Sequence, residues 1–332
     1  MRIGTNPLKK NILTLEHKKH RVILPFWIPN TTDNYFRNQP DVLRWCLKSL
    51  TETIDPSQTN ITLINNNSCA GASAVAQEFV DKGMIDKYVV RNQNRGKLEN
   101  VLAEARASYE DFVTICDADF LFFHGWENAV AEIMNAFPQA GMVTCFPAAH
   151  LAYSFNSNML GTSFRQGKVV EDKDIDDFEI GIGHAVDAGL YSRPGIKRKF
   201  PWRKCQYYVR NGNVTAVLGA VHALATYRRQ VVDAFNARHV EHVFRNGYEH
   251  DYIDFAAERQ GYLRLSSPSG YAYHMGNTVP EHKIETFALG VQSPEKIIPW
   301  SSSHRTIKVK VARLLWPFTQ LAFRFLRKCR FL

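Results

Sequence analysis

A chain of 332 residues, 45% hydrophobic and 22% charged, is long enough to bury one large α/β core and too apolar to be disordered or fibrous. Its net charge of +9 is unevenly placed, because Arg305 to Leu332 contain eight Lys or Arg and no acid, so the rest is close to neutral. That distribution excludes nucleic acid as a partner of the main domain, which would need a basic face of its own. The cysteines at 46, 69, 116, 145, 205 and 329 show no C-x-x-C spacing, so neither a zinc cluster nor a disulfide framework is expected. The first 20 residues are basic but lack an apolar segment, so no signal peptide is expected, and no run of about 18 apolar residues predicts a transmembrane helix.

In chain order, 1–20 is a polar lead-in. Arg21-Val-Ile-Leu-Pro-Phe-Trp-Ile-Pro predicts a first strand, with Pro25 and Pro29 ending regular pairing. Apolar residues at 42, 43, 46, 47 and 50 predict a helix over 41–53, and Asn60-Ile-Thr-Leu-Ile-Asn predicts a second strand. Strand, helix, strand is a βαβ unit, so a mostly parallel sheet follows. A helix over 72–82, a strand from Lys87 to Arg91 and a helix over 97–108 continue the alternation. In such sheets ligands bind beyond the carboxyl ends of the strands, where Asn65, Asn66 and Asn67 lie. Their amides, carrying both donor and acceptor, could bond a ligand, or they could simply serve a turn. Gly96 permits close backbone approach, and Arg95 and Lys97 put cations near a helix start, which suits a diphosphate; a solvated basic loop is the other reading.

The most informative stretch is 112–126. Phe112-Val-Thr-Ile-Cys116 predicts a buried strand that stops at Asp117-Ala118-Asp119 before a second apolar run. Two carboxylates in apolar surroundings cost several kcal/mol unless paired or protonated. A divalent cation relieves that cost and fills its remaining sites with water and phosphate oxygens, so the pattern predicts a metal holding a diphosphate. A turn at a strand's end is the plainer alternative.

A helix over 126–137 and a strand over 142–146 close this half. From 147 to 215 the pattern weakens: His150, Tyr153 and Asn156 are candidates for a substrate pocket, 171–179 is expected to be an acidic solvated loop, and 191–211, rich in Arg, Lys and Tyr, to face water rather than contact a substrate. A strand from Gly219 leads into Arg228-Arg229. A helix with Ile253, Ala256 and Ala257 on its apolar side ends at Gly261. A last strand carries His274. In the tail, apolar residues at 307, 311, 314, 315, 318, 322 and 325 form one helical stripe, with Arg313, Arg324, Arg327 and Lys328 on another face. Such a helix reads as lying on an anionic membrane surface, or else as docked on the domain. Pro317 is expected to kink it or start a second helix.

The Asp-x-Asp with its preceding strand and following Phe-x-x-Gly-Trp resembles the motif of the inverting, family 2 glycosyltransferases of GT-A fold. The opening strand, the Asn-Arg-Gly-Lys turn, the Arg-Arg helix start and the segment Gly247-Tyr-Glu-His-Asp also resemble that family, over about 20–275. The resemblance implies a Rossmann-like GT-A catalytic domain at 21–285, with a nucleotide-sugar half (21–150) and an acceptor half (151–285), followed by a tail at 286–332. It implies nucleotide-sugar binding by Pro25, Asn65, Asn66, Arg95, Lys97, Asp117 and Asp119. Mn2+ or Mg2+ would be held by Asp117 and Asp119, with His274 as a third ligand. Asp251 or Glu249 would be the catalytic base, with Asp251 preferred. There are two departures: Asn65 stands where the family has an Asp that accepts from uracil, and His250 stands where the family usually has its Asp. The implied function is metal-dependent, inverting transfer of a sugar from a nucleotide-diphosphate donor, a UDP-sugar first of all, to a hydroxyl of a glycan or lipid-linked glycan. The place would be surface polysaccharide or glycolipid assembly, on the cytoplasmic face of the cell membrane. A sugar-phosphate nucleotidylyltransferase is disfavoured because Pro-Phe-Trp-Ile-Pro replaces a Gly-rich signature after the first strand. A non-catalytic membrane-associated scaffold would not need the carboxylates and the phosphate loop together.

Overall fold

The structure, a computed structural model, describes residues 3–10, 17–183, 202–243, 249–290, 297–301 and 307–329. Four apolar runs, β1 (His20–Phe26), β2 (Thr59–Asn65), β3 (Lys87–Val90) and β4 (Phe112–Cys116), pair in parallel in the order β3-β2-β1-β4. Parallel neighbours need crossovers, and α1 (Gln39–Thr53), α2 (Ala70–Asp81) and α3 (Gly96–Ala107) supply them. β4 is buried at every position, which explains its unbroken apolar sequence. Pro25 lies within β1 rather than ending it. Pairing with β4 has stopped at Ile23 by then, while pairing with β2 runs on to Phe26, so proline falls where one edge of the strand is already free.

The sheet continues through β10 (Leu224–Arg228), antiparallel to both β4 and β6 (Ala140–Thr144), then β11 (Leu263–Ser266), β9 (Val214–Leu218), β8 (Gln206–Asn211) and β7 (Arg165–Gly167). Seven of these ten strands point the same way. One apolar layer, with α1, α2 and α4 (Trp126–Ala136), covers one face; α3, α6 (Arg229–Val232) and α7 (Phe255–Arg259) cover the other. The Arg-Arg pair is structural. Arg228 is buried and donates to the carbonyls of Met134, Phe137 and Ala140, and Arg229 donates to those of Ala105 and Glu110, so each cation caps the carboxyl end of a helix.

The acidic stretch at 171–179 is not a solvated loop. It forms α5 (Asp172–Gly181), with Glu179 fully buried and held by Arg203 at 3.1 Å, because Ile175 and Phe178 give it an apolar side. Of the basic stretch 191–211, residues 191–201 lie outside the described residues, and 206–211 form β8.

At the opposite end of the sheet from the strand termini of interest, Glu110 accepts hydrogen bonds from Arg21 (2.6 and 2.9 Å) and Asn60 (2.9 Å). Burial alone would raise its pKa; the Arg21 and Asn60 hydrogen bonds outweigh that and hold it at about 2, below its ordinary 4.5. A carboxyl depressed on folding contributes stability above its unfolded pKa and loses it as pH falls toward the folded one. Glu110→Gln is therefore expected to cost about 2 kcal/mol at pH 7, after discounting for solvent screening, with the difference from wild type shrinking between about pH 4.5 and 2. Urea unfolding of both proteins across that range checks it, and a pH-independent difference would refute it.

The segment after 285 is not a detached tail. α8 (Glu281–Leu289) spans the expected boundary, and Trp300 packs on the rings of His20 (4.5 Å) and Phe112 (4.8 Å) beneath the sheet. α9 (Ile307–Lys328) is one helix running through Pro317. It docks by Val309 and Phe323, both buried, with Trp316 against Phe255 at 5.4 Å and Arg327 over Tyr153 at 4.6 Å. Gly261, at φ +85°, lets it come close, since a Cβ there would lie 2.6 Å from the Arg313 nitrogen. The apolar stripe faces away from the domain: Leu314 is 77% exposed, Phe318 71% and Phe325 62%. The helix is thus docked on one side and leaves its apolar stripe exposed on the other. No helix among the described residues is long and apolar enough to cross a membrane.

Candidate active site

The carboxylates sit where β4 ends and a two-stranded ribbon begins. β5 (Phe120–Phe122) pairs antiparallel with β12 (Ala272–His274), and the register sets His274 opposite Phe120, one residue from Asp119. The Met275 amide donates to the Asp119 carbonyl at 2.7 Å and the Asp117 amide to that of Ala223 at 2.7 Å, which locks both backbones. His274 Nδ1 lies 2.6 Å from the carbonyl of Gly181, at the end of α5, and its Nε2 lies 3.2 Å from Asp119 Oδ2. Lys97 Nζ, in the first turn of α3, is 2.5 Å from Asp117 Oδ1.

Burial pushes the Asp117 carboxyl up, Lys97 pulls it down and the Asp119 charge pushes it up again, leaving it above its ordinary value. For Lys97, burial pulls down, but Asp117, Glu249 and Asp119 together hold it above the usual lysine value. Burial also lowers His274, yet Asp119 and the Gly181 carbonyl outweigh it and raise the imidazole to about 9. In the metal-free protein it is therefore a cation paired with Asp119.

The residues fit a divalent cation. Asp119 Oδ1 is buried and has no hydrogen-bond partner among the described residues, a costly state that a cation would relieve. The Nδ1–H of His274 is held by a backbone carbonyl, which aims Nε2 at Asp119, and metal-binding histidines are commonly oriented in this way.

Other expected site residues are placed differently. Asn65 is buried, and its amide is already used by the Ser68 nitrogen, Ser73 Oγ and the Tyr88 hydroxyl, at 2.8, 2.8 and 3.1 Å. Asn66 is also buried, bonding Asn94 at 2.7 Å and the Arg95 nitrogen at 2.9 Å. Both hold loops, so the turn reading prevails over base recognition. Gly96 at φ +75° makes room for the backbone of Val243, whose oxygen would be 2.5 Å from a Cβ. The exposed Arg95 side chain is drawn to Glu99 at 2.7 Å. Pro25 is a buried strand residue.

The base candidates separate. Residues 244–248, which include the Gly247-Tyr248 of that motif, lie outside the described residues. Glu249 is half-buried and close enough to help keep Lys97 protonated. Asp251 is exposed and lines a different cavity with Arg238, Tyr252 and Arg259. The backbone at His250–Asp254 is a π-helical turn, which changes the facing of successive side chains. The inward carboxylate is Asp254, 2% exposed, with His222 Nδ1 at 2.8 Å, an Arg264 nitrogen at 3.2 Å and His250 Nε2 at 3.8 Å. His222 and His250 line a cavity of about 200 Å3 that also reaches His150, Phe178 and His274, next to Asp119. The sequence carries one sign of this cluster, the i, i+4 spacing of His250 and Asp254 on a helix; His222 and Arg264 are brought in only by the sheet.

Residues 35–188 match the family model described as glycosyl transferase family 2. This region is a family 2 glycosyltransferase domain. The matched span of the glycosyltransferase holds Lys97, Asp117 and Asp119, while His222, Asp254 and His274 lie beyond it. No curated protein matches the chain. Among solved structures, a mannosyltransferase from Pyrobaculum calidifontis in complex with GDP-Man and Mn2+ is 13% identical, covering 92% of this chain and 75% of its own, with a TM-score of 0.43. TarS 1–349 from S. aureus is 12% identical over 91% of this chain and 72% of its own, TM-score 0.44. Glucosyl-3-phosphoglycerate synthase from Mycobacterium tuberculosis, with Mn2+, UDP and glucosyl-3-phosphoglycerate, is 11% identical over 82% and 76%, TM-score 0.42. Likeness this distant carries no argument about substrate or mechanism.

Proposed function

We propose that the chain transfers a sugar, with inversion, from a nucleotide-diphosphate donor to an acceptor hydroxyl in a metal-dependent reaction. The observation that carries this is the buried, unpartnered Oδ1 of Asp119, set between Asp117–Lys97 on one side and His274 on the other. Asp117, Asp119 and His274 would hold Mn2+ or Mg2+, the imidazole favouring Mn2+. Such an ion, when bound, neutralises charge on the diphosphate. Lys97 adds a fixed cation at the start of α3, aimed where negative charge grows on the leaving group. Inversion is supported by the cavity beside it. Among the described residues lining that cavity the only carboxylate is Asp254, and it is buried and paired with His222 and Arg264 rather than set to attack the sugar as a nucleophile.

The donor is a UDP-sugar in the first instance, and the acceptor a glycan or lipid-linked glycan used in surface polysaccharide or glycolipid assembly. Calorimetry of UDP and GDP with and without Mn2+, followed by mass spectrometry of products from a panel of nucleotide sugars, tests this. Metal-dependent nucleotide binding with sugar-specific turnover is expected; nucleotide binding that ignores Mn2+ would refute it.

The protein is further proposed to lie on the inner face of the cell membrane through α9. Leu314, Phe318 and Phe325 project outward, and Lys310, Arg313, Arg324 and Lys328 flank them. Each cation near an anionic surface contributes about 1 kcal/mol, less at high salt. The double substitution Leu314→Glu, Phe318→Glu is expected to abolish co-sedimentation with anionic vesicles and leave melting and UDP binding unchanged, because neither residue is docked. Undiminished sedimentation would refute the membrane role.

A further inference from the structure

We propose that His222, oriented by Asp254, is the group that takes the proton from the acceptor hydroxyl. The inference rests on the glycosyl-transfer reading and assigns the role to neither Asp251 nor Glu249. Asp251 faces another cavity, and Glu249 is not among the described residues that line the cavity of His222. His222 lies on the short connection before β10, and the next residue's carbonyl holds the Asp117 amide at 2.7 Å, so the imidazole shares a cavity with His274 next to the Asp117–Asp119 carboxylates. Its Nδ1 is 2.8 Å from Asp254 Oδ2. Asp254 is ionised, because burial, which would raise its pKa, is outweighed by Arg264 and His222, and it comes out below its ordinary value. A buried carboxylate at Nδ1 makes that nitrogen the protonated one, and leaves Nε2 as the acceptor with no hydrogen bond to any described residue. Asp254 itself is nearly wholly buried, its side chain 2% exposed and ion-paired with Arg264 at 3.2 Å, whereas His222 is 27% exposed.

The step balances simply. The acceptor oxygen forms the new bond to the anomeric carbon, and the bond from that carbon to the phosphate oxygen breaks with its electron pair. The hydroxyl proton passes to Nε2. The resulting imidazolium is compensated by Asp254, and it returns the proton to solvent when products leave. Two imidazoles and a carboxylate could also ligate a cation. The Arg264 guanidinium 3.2 Å from Asp254 Oδ1 already supplies the positive charge there, which favours the proton-transfer reading. His250 is the alternative base, but its Nε2 is 3.8 Å from Asp254 and its side chain is 52% exposed, so it is neither held nor screened.

The test uses the full chain, Mn2+ and the UDP-sugar that wild type turns over fastest. His222→Gly is expected to keep Mn2+-dependent UDP binding within about two-fold by calorimetry and to lose turnover by about 10²–10⁴-fold, the range for a lost general base. Added imidazole is expected to restore turnover at least ten-fold in His222→Gly and not in His250→Gly. Unaltered turnover in folded, UDP-binding His222→Gly, or a loss that imidazole does not relieve, would overturn the assignment while leaving the transferase reading intact. Rescue confined to His250→Gly would move the role to that residue and equally overturn it. Absence of Mn2+-dependent UDP binding in wild type would instead bring down the transferase reading and this inference with it.

Discussion

Asp119→Ala is expected to abolish metal-dependent donor binding and lower turnover by about 10³-fold or more while the protein stays folded. Two features set the size of the effect. One oxygen of this carboxylate meets His274 and the other is buried without a partner among the described residues, so truncation removes two potential ligand atoms and the counter-charge of the imidazole. Loss of a metal's charge stabilisation in a water-poor site is worth several kcal/mol. Folding is expected to suffer little, because an unsatisfied buried carboxylate is a liability to the metal-free state and its removal leaves the backbone bond from Met275 in place. The check is differential: Mn2+ should raise the melting temperature of wild type by mass action and leave that of Asp119→Ala unmoved. A mutant that still binds UDP in an Mn2+-dependent way would remove the metal role from Asp119.

Lys97→Met is expected to lower turnover by about 10²–10³-fold, the scale for losing one fixed charge-stabilising donor. Its Nζ at 2.5 Å from Asp117 serves two purposes. It places a cation where the diphosphate departs, and it opposes the burial and the Asp119 repulsion that push the Asp117 carboxyl upward. Without it, Asp117 loses its fixed counter-charge and holds its proton more tightly, so Mn2+ affinity should fall as well. Methionine keeps most of the volume in this half-buried place, so stability should change by less than about 1 kcal/mol. Steady-state kinetics with Mn2+ titrations tests both parts. Normal turnover with normal Mn2+ affinity would show that the Lys97–Asp117 pair is only a structural ion pair.

The alternation of apolar runs from Arg21 to Phe146 was enough to specify a parallel βαβ half, since strands covered on both faces must be continuously apolar and the crossovers between them must be helical. The same local logic located Asp117 and Asp119 at a strand's end, because carboxylates that interrupt an apolar run are costly to bury unless a positive charge meets them. The amphipathic character of 307–328 was equally legible, as a period of 3.6 residues is a property of the chain alone. What sequence could not decide was which polar groups are left over once the chain has folded. Asn65 and Asn66 look like ligands in a sequence, yet Ser68, Ser73, Tyr88, Asn94 and Arg95 consume their hydrogen bonds. Asp251 looks like a base, yet the π-helical turn at 250–254 leaves it outside and carries Asp254 inward. His222 has no signature of its own, because its partner stands 32 positions away and meets it only when β10 enters the sheet beside β4. Hydrophobic periodicity is written within a dozen residues, so it survives in the sequence. The competition for donors and acceptors is settled between segments far apart in the chain, so the site's spare valences, and which face of the last helix stays exposed, belong to the tertiary structure.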